Sequence, residues 1–351
     1  MHFCSEFSRR QGEDPAGTAP FAQHHIIVEI PLPWPADVFT APAVPPGLAE
    51  VFRQARAAGV TLRTNAMAPD PEYSRSGWTR VFHFRQPAPP LQAYMKEEYL
   101  VPTEQTAGLA AALLAPATTH AQGSGAPREA AAFHRYRQNT DHIRELMVCT
   151  HDERDACCGR FGASLYEMLR REAAPAPATG AAKGAGNGTN KAVRVWRVSH
   201  MGGHRLAPTL MDMPEGRYWG HLTPDAARQL LHRTGPVENL RRHYRGWALL
   251  GDPLLQVAER EAFIHYGWPW RRRAVTGTGV DGSTVSLAFT GPGPNDRGTL
   301  QAGVEELPPV PTITCSDPEP KGRARQFRVT QVQVQDGATG RRPTDLSAPA
   351  G

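Results

Sequence analysis

Two short apolar runs in the middle of the chain each end at a pair of metal-binding residues, and this constrains the fold most. Leu146-Met147-Val148-Cys149 reads as a strand ending at a cysteine, and Cys158 follows after eight intervening residues. Val193-Arg194-Val195-Trp196-Arg197-Val198 alternates like a half-buried strand and stops just before His200, with three residues separating His200 from His204. Loops after strand ends are where α/β sheets present ligands. If the two strands are neighbours in one sheet, both pairs project over the same edge.

Two thiolates and two imidazoles suit a soft-to-borderline metal, either zinc or an iron–sulfur cluster of mixed ligation. Imidazole in place of two thiolates raises the potential of a [2Fe–2S] centre, because the cluster then holds less negative charge. A ligating imidazole keeps a second nitrogen that can gain or lose a proton, so a pH-dependent potential is expected. Gly202 and Gly203 let the histidine loop curl tightly without side chains in the way, and they argue against a stable helix there. Arg154 and Asp155 lie inside the cysteine loop. They are read either as hydrogen-bonding supports for the loop and the cluster sulfurs or as a surface ion pair. Cys157 is the alternative second thiolate, but adjacent side chains diverge and cannot serve one iron equally. His151 and His221 are lesser candidates, and Cys4 and Cys315 read as isolated thiols.

The chain of 351 residues carries 39 Lys plus Arg against 34 Asp plus Glu, a net charge of +5. That is mild for its length, and no basic stripe or recognition motif stands out, so nucleic-acid binding is not expected. No apolar stretch is long enough to span a membrane. The opening residues lack an apolar signal core, which favours the cytoplasm. Five cysteines, Cys4, Cys149, Cys157, Cys158 and Cys315, make no disulfide framework. No phosphate-loop or dinucleotide motif is present. Oligomeric state is not legible.

The sequence divides into an N-terminal α/β lobe (1–135), a metal-binding α/β domain (138–245) and a C-terminal extension with a helix and short strands (246–351). In the lobe, residues 26–30, 60–67 and 81–85 read as strands, and 47–58 and 104–117 as helices. In the second region, 161–171 and a segment capped by Thr223-Pro224 read as helices, and a strand includes Tyr218 and Trp219. Residues 116–131 and 173–190, rich in Ala, Gly and Pro, read as linker and flexible excursion, and the last ten residues as loose. A helix is expected over 253–265. No internal repeat is firm enough to use.

Cys149-Thr-His-Asp-Glu-Arg-Asp-Ala-Cys-Cys158-Gly, followed by Ser-His200-Met-Gly-Gly-His204-Arg-Leu-Ala-Pro-Thr, resembles the sucrase/ferredoxin-like family. So do Phe3-Cys-Ser-Glu-Phe-Ser-Arg-Arg10 and Ile30-Pro-Leu-Pro-Trp34. The likeness extends over roughly residues 3–245. It implies a thioredoxin-like [2Fe–2S] ferredoxin domain packed with the N-terminal lobe, with Cys149, Cys158, His200 and His204 as ligands. It also implies an electron carrier working with a redox partner protein. Pro208-Thr209 departs from the residues many relatives carry after the histidine loop. No carboxylate pair supports glycoside hydrolysis. A structural zinc module on the same four residues, and a thiol-based redox protein, are the competing readings. The latter lacks any Cys-x-x-Cys spacing.

Overall fold

His24–Glu29 (β1), Leu62–Met67 (β2), Trp78–Arg85 (β3) and Met95–Pro102 (β4) build the first half of a long sheet, with Arg137–Gln138 (β5) at its end. The second half contains Arg144–Cys149 (β6), Val193–Val198 (β7), Leu210–Met213 (β8), Arg217–Trp219 (β9) and Tyr244–Trp247 (β10). Every residue of β1 and β6 is buried, as expected for strands covered on both faces. The computed structural model describes residues 3–118, 131–173, 193–337 and 344–346. Most of 116–131, nearly all of 173–190 and most of the last ten residues lie outside the described set.

The sheet runs β10-β9-β8-β6-β7-β2-β1-β3-β4-β5. Among the described residues the α-helices are Cys4–Arg10 (α1), Leu48–Ala57 (α2), Thr106–Thr118 (α3), Ala156–Glu172 (α4), Pro224–His232 (α5) and Pro253–Tyr266 (α6). The halves then read alike: β1-α2-β2-β3-β4-α3 and β6-α4-β7-β8-β9-α5. In each, a helix links two parallel strands and two antiparallel strands follow. The sequence showed no usable repeat because the likeness is one of chain path, not of side chains. The halves join edge to edge where Met67 of β2 pairs with Val198 of β7. Ser199 N–H donates to Ala66 O at 2.8 Å, and Ala68 N–H to Arg197 O at 2.9 Å.

β4 is not legible as a strand in the sequence, because its Lys96-Glu97-Glu98 core looks like a solvated run. Lys96 and Glu98 are in fact buried. Lys96 Nζ donates to Glu145 Oε1 at 2.6 Å, while Glu98 accepts from Arg80 and Arg194. Trp196 Nε1 donates to Glu145 at 2.7 Å. This network ties β3 and β4 to β6 and β7, with groups from the other half meeting most of its polar atoms and Arg80 Nε left without a partner.

Beyond the long sheet, α6 begins at Asp252, whose side chain accepts from Leu254 N–H. It packs on a second sheet of order β11-β12-β13-β14-β15, formed by Ala274–Asp281, Thr284–Thr290, Arg297–Thr312, Gly322–Asp336 and Thr344–Leu346. Two of these strands are long, not short. β13 and β14 form one extended hairpin, and a register shift between Leu307 and Val310 accommodates Pro308 and Pro309.

Candidate metal centre

β6 and β7 are parallel neighbours, with Cys149 beside Val198. Their carboxyl ends therefore face the same way. Cys149 is the last residue of β6. Cys158 lies in the first turn of α4, which Asp155 caps by accepting from Cys157 N–H at 2.9 Å. His200 follows β7. Sγ of Cys149, Sγ of Cys158 and a ring nitrogen of His200 all lie within 4.8 Å of one another. Cys158 Sγ is 3.6 Å from His200 Nδ1. Both cysteines are buried, while His200 is only partly covered. The Cys158 and His200 hydrogen bonds outweigh burial to push the Cys149 thiol well below its ordinary pKa, whereas the same bond and burial push Cys158 up.

Gly162 makes this geometry possible. A Cβ there would stand 3.0 Å from the carbonyl carbon of Cys149 and closer still to its oxygen, so α4 lies directly against the end of β6. Gly202 and Gly203 take φ of +91° and +75°, the left-handed turn that carries the loop round to His204. His204 opens a short 3₁₀ turn, not an α-helix.

His204 stands outside the three-residue group, although its ring centroid is 5.9 Å from that of His200. Its Nδ1 is 3.1 Å from Asp155 Oδ2 and 3.2 Å from Cys4 Sγ. Asp155 is thus no partner of Arg154, which is exposed on the rim of a 520 Å³ cleft also lined by His151 and His200. Burial opposes ionisation of Asp155, but His204, Cys315 and the Cys157 N–H outweigh it and hold the carboxyl well below the usual range.

Cys157 points away from the first group. Its Sγ lies 3.6 Å from Cys4 Sγ and 3.2 Å from Cys315 Sγ. Cys4 and Cys315, expected to be isolated thiols, therefore meet Cys157 and Asp155 in a second cluster. The Cys4 hydrogen bond, with help from Ser5 and against burial, lowers the Cys157 pKa to about 6. Burial raises that of Cys315 to about 11.

The histidine loop is held by groups the sequence reading did not select. Asn65 Nδ2 donates to Ser199 O at 3.3 Å and His200 O at 2.9 Å. Arg63 donates to Met201 O at 3.2 Å, and Arg245 to Gly202 O at 3.0 Å. Four successive carbonyls are thereby fixed. His151 is no ligand in this arrangement: its Nε2 donates to Pro35 O at 2.9 Å, and its Nδ1 accepts from His200 N–H at 3.3 Å. His221 lies by α1, 3.0 Å from Ser8 Oγ, and burial lowers its pKa to about 3. The one sequence clue to Asn65 is an amide inside an otherwise strand-like run, since its partners lie more than a hundred residues away.

The fold and donor set define an α/β protein with a thiol–imidazole site capable of holding a metal. The model of the sucrase/ferredoxin-like family matches residues 15–246, and the chain belongs to that family. No curated protein and no solved structure matches it.

Proposed function

We propose that the chain is an electron-transfer protein, not a substrate-converting enzyme, with a [2Fe–2S] cluster held by Cys149, Cys158, His200 and His204. The observation carrying this reading is the convergence of two buried thiols and one imidazole at adjacent parallel strand ends, with His204 alongside. The donor chemistry fits. A two-iron centre spreads its ligands over two metal atoms, so a fourth donor set apart from a tight group of three is compatible with it. Asp155 holds Nδ1 of His204 and leaves Nε2 for a metal, the usual carboxylate–histidine–metal arrangement.

The cluster, when bound, supplies one-electron chemistry. The protein buries the thiol side and leaves both histidines at the surface, His204 with 26% of its side chain exposed. An electron therefore has its shortest route through the histidine edge, beside the cleft of Phe39, Arg154 and His200. A redox partner docking there meets a small surface, as transient electron-transfer contacts do. The ring nitrogens left to the histidines make the potential depend on pH. Among the described residues, no helix is long and apolar enough to cross a membrane.

The test is anaerobic purification followed by iron and sulfide analysis, visible absorption and magnetic resonance of the reduced state. Two irons and two sulfides per chain are expected. His200→Cys and His204→Cys should each keep the colour and lower the potential, since an anionic thiolate replaces a neutral imidazole. A colourless protein with one zinc on these four residues refutes the proposal.

A further inference from the structure

The second thiol cluster lies outside the proposed electron-transfer centre. Cys4, Cys157 and Cys315 come from α1, α4 and the loop at the tip of the β13–β14 hairpin, segments more than 150 residues apart in sequence. Their sulfurs form a nearly equilateral triangle with edges of 3.6, 3.2 and 3.6 Å. All five cysteines are free thiols. A single disulfide would strand the third sulfur of the triangle, so pairing does not explain the arrangement.

A tetrahedral zinc with Zn–S bonds of about 2.3 Å spaces its thiolates about 3.8 Å apart, close to the edges seen here. The fourth corner is also occupied. Asp155 Oδ1 lies 3.5 Å from Cys4 Sγ, and its carboxylate falls within 4.8 Å of all three sulfurs. A carboxylate oxygen bound to zinc at about 2.0 Å stands about 3.5 Å from a neighbouring thiolate.

The surroundings are those of a thiolate site. Ser5 N–H and Oγ–H point at Cys157 Sγ from 3.5 and 3.4 Å, and Cys4 N–H points at Cys315 Sγ from 3.5 Å. Cys157 sits in the first turn of α4, where the helix end favours negative charge. Ile313 and Ala207, with Phe3, Phe7 and Phe161, close an apolar shell round the sulfurs. Cys315 alone is half-exposed and marks the way in.

We propose that Cys4, Cys157, Cys315 and Asp155 form a second metal site that takes one zinc ion. Binding forms three Zn–S bonds, and whatever protons the three thiols still hold leave to solvent. The ion staples the C-terminal hairpin and α1 to the helix that carries Cys158. Asp155 then serves both centres, Oδ1 toward zinc and Oδ2 toward His204. Cys157 and Asp155 lie within residues 15–246 and Cys4 and Cys315 outside them, so the family match covers only half of this site.

The test uses the full chain, purified anaerobically with supplied Zn²⁺, and reads zinc and iron separately by elemental analysis. The expected result is one zinc per chain in addition to iron. Cys315→Ser should lose the zinc while retaining the iron and the visible spectrum. If Cys315→Ser fails to fold, zinc-edge X-ray absorption of the unaltered protein decides: three sulfurs and one oxygen support the proposal. A shell of two sulfurs and two nitrogens overturns it by placing zinc at the first centre. Absence of zinc, zinc retained in Cys315→Ser, iron lost in its place, or a disulfide among these thiols in the anaerobic protein also overturns it. Zinc in a three-sulfur shell without any iron would leave this site standing and sink only the electron-transfer reading.

Discussion

Replacing Gly162 with alanine tests the packing that brings the two cysteines together. Glycine inside a helix is ordinarily a weakness, and alanine there should stabilise by about 1 kcal/mol through helix propensity. The structure predicts the opposite sign. The added methyl would stand 3.0 Å from the Cys149 carbonyl carbon, nearer its oxygen and 3.5 Å from Thr150 Cα, all of them backbone atoms that cannot swing aside. Helix α4 would have to retreat from the end of β6 by roughly an ångström, at an overpacking cost of about 1–3 kcal/mol or more, which cancels or exceeds the propensity gain. That retreat carries Cys158 away from Cys149. We therefore expect Gly162→Ala to melt lower than the unaltered protein and to lose iron faster on exposure to air. Gly108→Ala is the matched control. It lies in α3, its added Cβ would meet only Phe133 Cζ at an ordinary 3.6 Å, and it should melt at the same temperature or higher. Both readings come from thermal unfolding followed by circular dichroism and from the decay of visible absorption. A Gly162→Ala protein that melts like Gly108→Ala and keeps its colour would refute the argument.

Asn65→Leu removes the donor that holds the Ser199 and His200 carbonyls, and should cost about 1–3 kcal/mol and speed metal loss, read by denaturant unfolding and by iron release to a chelator. Burial holds His25 at a pKa of about 4, with Nε2 2.8 Å from Asn65 Oδ1. The unfolded histidine binds its proton near pH 6.5, so stability from neutral His25 is full above that value and falls as pH drops toward 4. Between pH 7.5 and 5 the loss is about 2 kcal/mol, and the advantage of the unaltered protein over His25→Gln should shrink by that amount in urea titrations. Glu145→Ala leaves Lys96 and Arg194 without their shared carboxylate at the junction of the two halves, and should destabilise by about 3–5 kcal/mol, seen as a lower denaturant midpoint.

Four ligand candidates and both strands that carry them could be read from residue type and spacing alone. A strand ending at Cys149, another ending before His200, and the glycine pair between the histidines are local signals, and they survive into the structure because each depends on only a few adjacent residues. So does the cap at Thr223. Arrangement over distance was not legible. Nothing at Cys4, Cys157 or Cys315 reveals that their sulfurs meet, because a cysteine carries no directional mark and their segments are far apart. The polar residues of β4 read as solvated until Arg194 and Glu145 arrive from the other half to satisfy them. The repeated chain path of the two halves left no trace in composition, since the same path can be built from different side chains. Local backbone and residue chemistry thus determined which groups could bind a metal. Packing between distant segments decided that the thiols divide into two clusters, with Asp155 and His204 between them.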